Sequence, residues 1–119
     1  MSDAYTFFRE GQKRLRTGMA AQATVPLEKA KNLEPSKASI REALGIAYFR
    51  LARWKDAERE FRTIVEELSP TDHYAHYALG RALEQQGRTA EANGHYKLAS
   101  SMEPGSETYA ARILDLDAG

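Results

Sequence analysis

The sequence predicts an all-α protein, an α–α superhelix of three helix–turn–helix repeats followed by a seventh helix. Three observations predict it. The first is internal repetition: Gly11, Gly45 and Gly80 stand 34 and 35 residues apart. Four further columns keep that register, namely a small residue (Gly18, Ala52, Gly87), an alanine (Ala23, Ala57, Ala92), a large apolar residue (Leu27, Phe61, Tyr96) and a closing proline (Pro35, Pro70, Pro104). Self-similarity at such a period marks a repeat array. The second is helical spacing of apolar residues inside each unit, as in Leu44, Tyr48 and Leu51 or Ala57, Phe61, Ile64, Val65 and Leu68. The third is that no stretch alternates apolar and polar side chains as a half-buried strand would, so no β-sheet is expected.

The repeats run over about 4–37, 38–72 and 73–106, and the whole chain, 1–119, is expected to be one domain. Each repeat is two helices. Their short turns fall at Thr17-Gly18, Ala52-Arg53 and Gln86-Gly87, where glycine supplies the dihedrals of a tight reversal. Between repeats, Glu34-Pro35-Ser36, Ser69-Pro70-Thr71-Asp72 and Glu103-Pro104-Gly105-Ser106 stop one helix at the proline, with Ser36, Asp72 and Ser106 as natural N-caps for the next. The single slip in register lies between Ile64 and Pro70. Gly11, Gly45 and Gly80 are expected where a neighbouring helix approaches closely, since a mid-helix glycine otherwise costs about 0.5–1 kcal/mol against alanine. Two residues fit less easily: Pro26 predicts a late or bent start to the second helix, and Gly94 reads as a packing accommodation inside the sixth.

Composition narrows the function classes. With 17 basic and 17 acidic residues the formal charge is zero, which argues against nucleic-acid binding through bulk electrostatics. There is no cysteine, so disulfides, thiolate zinc sites and a cysteine nucleophile are excluded. No basic leader precedes an apolar run, and no run is long enough to cross a membrane, so the chain reads as cytoplasmic with no membrane partner.

The spacing resembles the tetratricopeptide repeat, a helix–turn–helix of 34 residues. The middle unit carries it best, with Leu44-Gly45-x-x-Tyr48 and Ala57-x-x-x-Phe61; the third has Leu79-Gly80-x-x-Leu83 and Ala92-x-x-x-Tyr96-x-x-Ala99. The first is loosest, because Glu10 and Arg14 stand where the family has Leu and Tyr, as suits an end repeat whose outer face meets water. The resemblance covers residues 4–106. It implies that residues of about 107–116, with Tyr109, Ile113 and Leu116 on one face, form the seventh helix that caps the last repeat; a partner-binding helix is the alternative.

The resemblance also implies where function sits, on the concave face formed by the first helix of each repeat. Carried over by register, that face holds Tyr5, Phe8, Gln12, Leu15 and Arg16 in the first repeat. The second contributes Ser39, Glu42, Ile46, Phe49 and Arg50, and the third Tyr74, Tyr77, Arg81, Glu84 and Gln85. Tyr and Arg are enriched at binding hot spots, so a protein or peptide segment with apolar anchors and an acidic group is the expected partner. Phe8, Leu15 and Phe49 are the members expected to be partly core. Some family members grip chaperone C-terminal carboxylates with Lys, Asn and Arg; here the corresponding places hold Phe8, Gln12, Ala43, Tyr74 and Ala78, so that clamp is absent.

Catalysis is not expected. His73, His76 and His95 lie in one repeat without a supporting ligand set, and Asp72 beside them is better explained as an N-cap, so neither metal nor cofactor is predicted. No glycine-rich phosphate loop exists, and the charges from Lys55 to Glu67 read as a solvated helix face. The chain therefore reads as an interaction module, with a structural role as a self-associating, homodimeric subunit of a larger assembly as the second reading.

Overall fold

A computed structural model describes residues 3–118, with side chains described as far as Ile113. Among these residues there are seven helices and no strand. They are α1 (Asp3–Arg16), α2 (Ala20–Leu33), α3 (Ala38–Arg50), α4 (Trp54–Thr63, continued by a π-helical turn at Ile64–Leu68), α5 (His73–Gln85), α6 (Thr89–Met102) and α7 (Glu107–Ala118). Three helix–turn–helix repeats and a seventh helix are therefore present. Among the described residues no helix is long and apolar enough to cross a membrane. The described residues divide into two compact units, with the boundary between Glu60 and Phe61.

In the first unit, α1 packs on α2 and α2 on α3. The core is Ala23, Leu27 and Ala30 of α2 with Ile40, Leu44, Ala47 and Tyr48 of α3, all buried. Gly11 of α1 lies over Leu27, so close that a Cβ there would fall 2.4 Å from Leu27 Cγ. Glu10 and Arg14, the two departures from the repeat pattern, form an exposed ion pair of 2.6 Å. Pro26 does not delay its helix, which starts at Ala20. The carbonyl of Gln22, which an ordinary residue at 26 would bond, accepts instead from Arg14 Nη1 at 3.2 Å. Ser36 is not the cap of α3. That helix begins one residue later, with Lys37 as N-cap and no side-chain cap bond; the turn is held by Arg41 Nε, which donates to the Pro35 carbonyl at 2.8 Å.

The Lys55–Glu67 stretch departs most from expectation. Glu60 is not solvated but 1% exposed, its carboxylate accepting from Lys31 Nζ and Arg41 Nη1, each at 3.0 Å. It lies three residues after Ala57, on the buried face of α4. Its neighbours do form the helical surface pairs expected, Arg59 with Asp56 and Arg62 with Glu66.

In the second unit, α5 packs on α6 and α6 on α7. Phe61, Ile64, Leu79, Leu83 and Tyr96 form the buried core. The π-helical turn explains the slip in register. Ser69 N–H bonds the Ile64 carbonyl at 2.7 Å across five residues, so one extra residue is absorbed in the helix end. Asp72 caps α5, accepting from Ala75 N–H at 3.0 Å, and Ser106 caps α7, accepting from Tyr109 N–H at 3.3 Å. The reversals sit at Gly18 (φ 79°), Ala52 (φ 59°) and Gly87 (φ 77°), so the middle repeat makes with alanine a turn that its neighbours make with glycine.

Gly94 does not accommodate a neighbour: an added Cβ would meet nothing within 4 Å. Gly94→Ala should therefore stabilise the protein by about 0.5–1 kcal/mol, the ordinary propensity gain in an exposed helix interior. Urea denaturation measures it, and a loss of stability would mean that the glycine serves some contact.

Candidate functional site

The first unit brings most of its predicted residues together. α1 and α3 lie side by side, and two concavities open between them. The larger, about 380 Å³, is lined by Ala4, Tyr5, Phe8, Glu34, Lys37, Ser39 and Ile40. The smaller, about 240 Å³, is lined by Phe8, Gln12, Leu15, Arg16, Ser39, Glu42, Ala43 and Ile46. Phe8 from α1 and Ser39 from α3 belong to both and stand between them. The floor is apolar because the helices meet through Ala4, Leu15, Ile40 and Ala43, each buried; the rim is polar. Tyr5 stands out at 60% exposure, its hydroxyl accepting from Arg9 Nη1 at 3.1 Å.

Two members of the predicted set in this unit are engaged internally. Phe49 sets its ring edge against Trp54, with centroids 4.9 Å apart. Arg50 Nη1 donates to the Leu15 carbonyl at 2.8 Å, tying the end of α3 to the end of α1. Register places a Cα on a face but does not say whether a long side chain turns back to its own fold.

Charge distinguishes the unit. Residues 1–60 hold twelve Lys and Arg against eight Asp and Glu, and residues 61–119 hold five against nine, so the neutral total hides two opposite halves. Among the described residues Arg16, Lys13 and Lys37 enter no side-chain hydrogen bond or ion pair, and all three are exposed.

In the second unit the predicted residues lie along α5. Tyr77 is packed against Tyr96 of α6 at 6.0 Å and Tyr109 of α7 at 5.0 Å, and Arg81 Nη1 donates to its hydroxyl at 3.1 Å. Tyr74 lies between Phe61 and Tyr77. Gln85 is exposed at the helix end and Glu84 accepts from the Tyr96 hydroxyl at 2.6 Å. Burial, then that bond to Glu84, pushes the Tyr96 phenol well above its ordinary pKa. These rings join α5 to α6 and α7 as much as they face outward. Leu116, expected on the inner face of α7, lies beyond the described side chains.

The histidines separate into two arrangements, and among the described residues no cluster of three or more metal-ligating groups exists. His73 Nδ1 lies 2.8 Å from the Tyr109 hydroxyl and its Nε2 3.3 Å from Glu103. His76 is buried, with Nε2 2.8 Å from the Pro70 carbonyl and Nδ1 3.0 Å from Nδ1 of His95. A carbonyl only accepts, so His76 carries a proton on Nε2, and in the neutral ring its Nδ1 accepts from His95 Nδ1. Burial, then His76 and Arg62, lowers the His95 pKa from the usual 6.5, with Glu91 and Glu66 opposing. The unfolded chain then binds more protons just below that value, so the stability His95 contributes is complete above pH 6.5 and lost as the pH falls through its folded pKa. Melting temperature should fall between about pH 7 and pH 5, and His95→Gln should flatten the fall; an equally steep profile in the variant would refute it.

Three comparisons bear on this geometry. A tetratricopeptide repeat family model matches residues 42–106, more than half of the chain. Superkiller complex protein 3 of Mus musculus is 27% identical over 99 residues, which are 83% of this chain but 6% of that protein, so the chain corresponds to a small part of its length. The first tetratricopeptide domain of Spaghetti (RPAP3), bound to the HSP90 peptide SRMEEVD, superposes with a TM-score of 0.92 at 21% identity, over 98% of this chain and 91% of that one. The crystal structure of MamA superposes at 0.95 with 22% identity, over 99% and 68%. At such identities the structural matches speak to the fold alone.

Proposed function

Because the chain belongs to the tetratricopeptide repeat family, a family of protein-interaction scaffolds, we propose that its α1–α3 face holds a peptide or protein segment with apolar anchors and an acidic group. The observation that carries this reading is the pair of adjoining apolar-floored concavities divided by Phe8 and Ser39, with Lys37 and Arg16, which have no ion-pair partner among the described residues, at their rims. A fold of this class binding a peptide has a precedent in the Spaghetti domain with its HSP90 peptide. The clamp residues are replaced here, so SRMEEVD should bind this chain weakly and a different segment is the ligand. The test is Ser39→Trp, which sets a bulky ring at the exposed position shared by both concavities. A partner retained from native extract by the wild type should be lost with this variant, and a partner bound equally by both would overturn the reading.

Self-association is the second reading, and one observation favours it: residues 1–60 are net basic and residues 61–119 net acidic, so two antiparallel copies would set opposite charges against each other. Sedimentation at low and high salt decides it. A salt-sensitive oligomer supports it, and a monomer at low salt removes it.

A further inference from the structure

The α1–α3 face has the form of a ruler. Its larger concavity, opening between Tyr5 and Phe8 with Ile40 beneath, is apolar and large enough for a bulky side chain. Its smaller one is entered past Arg16, an exposed cation with no ion-pair partner among the described residues. Along α1, at about 1.5 Å per residue, the level midway between Tyr5 and Phe8 lies about 14 Å from that of Arg16. An extended chain covers about 14 Å in about four residues.

Charge limits what can lie there. Glu42 lines the smaller concavity and Glu34 the larger, so each cation has a carboxylate near it and a run of acids would meet repulsion. One well-placed acid escapes that cost, since Arg16 presents a planar fork that a single carboxylate can engage through two hydrogen bonds.

We propose that this face reads an extended segment by two marks about four residues apart: a bulky apolar side chain in the larger concavity and a single carboxylate on Arg16. The inference rests on the peptide-holding reading above and adds the pattern and its spacing.

The test is a displayed library of random peptides, about twelve residues long, selected on the full chain and counter-selected on Ser39→Trp. Enriched sequences should share an apolar residue and an Asp or Glu separated by three to five positions. Against such a peptide, Arg16→Ala should weaken binding by about tenfold, the loss of one charge-assisted pair, and should not weaken further when the peptide's Asp is changed to Asn. Peptides enriched without that pattern, or with an acid preference that survives Arg16→Ala, overturn the ruler and leave the groove standing. No enrichment over the counter-selection overturns both.

Discussion

Replacing Glu60 with alanine is expected to cost about 3 kcal/mol, the largest loss from any single charged residue in the first unit. Its carboxylate is 1% exposed and accepts from Lys31 of α2 and Arg41 of α3, each at 3.0 Å. Arg41 also holds the Pro35 carbonyl, so the carboxylate ties α2, α3, α4 and the turn after α2. Truncation leaves two cations facing a vacated site. Breaking a buried pair costs about 3–5 kcal/mol, and the lower end applies because Lys31 and Arg41 keep 20% and 15% exposure and Lys31 has Glu28 within 3.5 Å. For a chain of this length the loss corresponds to roughly 10 °C in melting temperature. Urea denaturation measures it, with Glu60→Gln intermediate because an amide still accepts. If the loss comes from stranded cations, Glu60→Leu combined with Lys31→Met and Arg41→Met should recover most of it. A single alanine variant within about 0.5 kcal/mol of wild type, the range of ordinary surface changes, would refute the account.

That prediction arises where the sequence misled. The charges from Lys55 to Glu67 pair along the helix surface as their spacing predicts, yet Glu60 sits at the apolar spacing of Ala57 and Ile64. Position should have outweighed polarity there, and its partners, Lys31 and Arg41, lie too far along the chain for local spacing to reveal. The repeat columns were legible for the opposite reason. Each encodes a local geometric need, such as a left-handed turn at Gly18 or a stop at Pro35, which a small residue at the turn (Gly18, Ala52, Gly87) and a proline at the stop answer in each repeat. Even the slip between Ile64 and Pro70 has a local form, the π-helical turn at Ile64–Leu68. The face of α1 and α3 was readable in outline, since Tyr5, Phe8, Gln12, Arg16, Ser39, Glu42 and Ile46 line two adjoining concavities. Phe49, expected to be partly core, does pack inward on Trp54, but the internal roles of Arg50 and Tyr77 were not legible. Each is long enough to reach a partner inside its own unit, and that choice depends on tertiary neighbours.

Gly80→Ala should destabilise the protein by about 2 kcal/mol even though alanine is the better helix former by about 1 kcal/mol. The added Cβ would lie 2.5 and 2.8 Å from the Cε1 and Cδ1 atoms of Tyr96 and 3.1 Å from the Ala92 carbonyl oxygen. A side chain free to turn could absorb the first two contacts. Tyr96 is not free: it is fully buried, its hydroxyl is bonded to Glu84 at 2.6 Å, Tyr77 lies against it, and Arg112 sits over its ring. Relief therefore requires α5 and α6 to move apart, and the overpacking cost of about 1–3 kcal/mol exceeds the propensity gain. A double-mutant cycle with Tyr96→Leu isolates the cause, because the smaller side chain should remove most of the penalty that alanine brings at position 80. Gly94→Ala, the same substitution in the same unit where a Cβ meets nothing, supplies the control of opposite sign. If both glycine variants gained stability alike, close approach of the helices would not be the reason for Gly80.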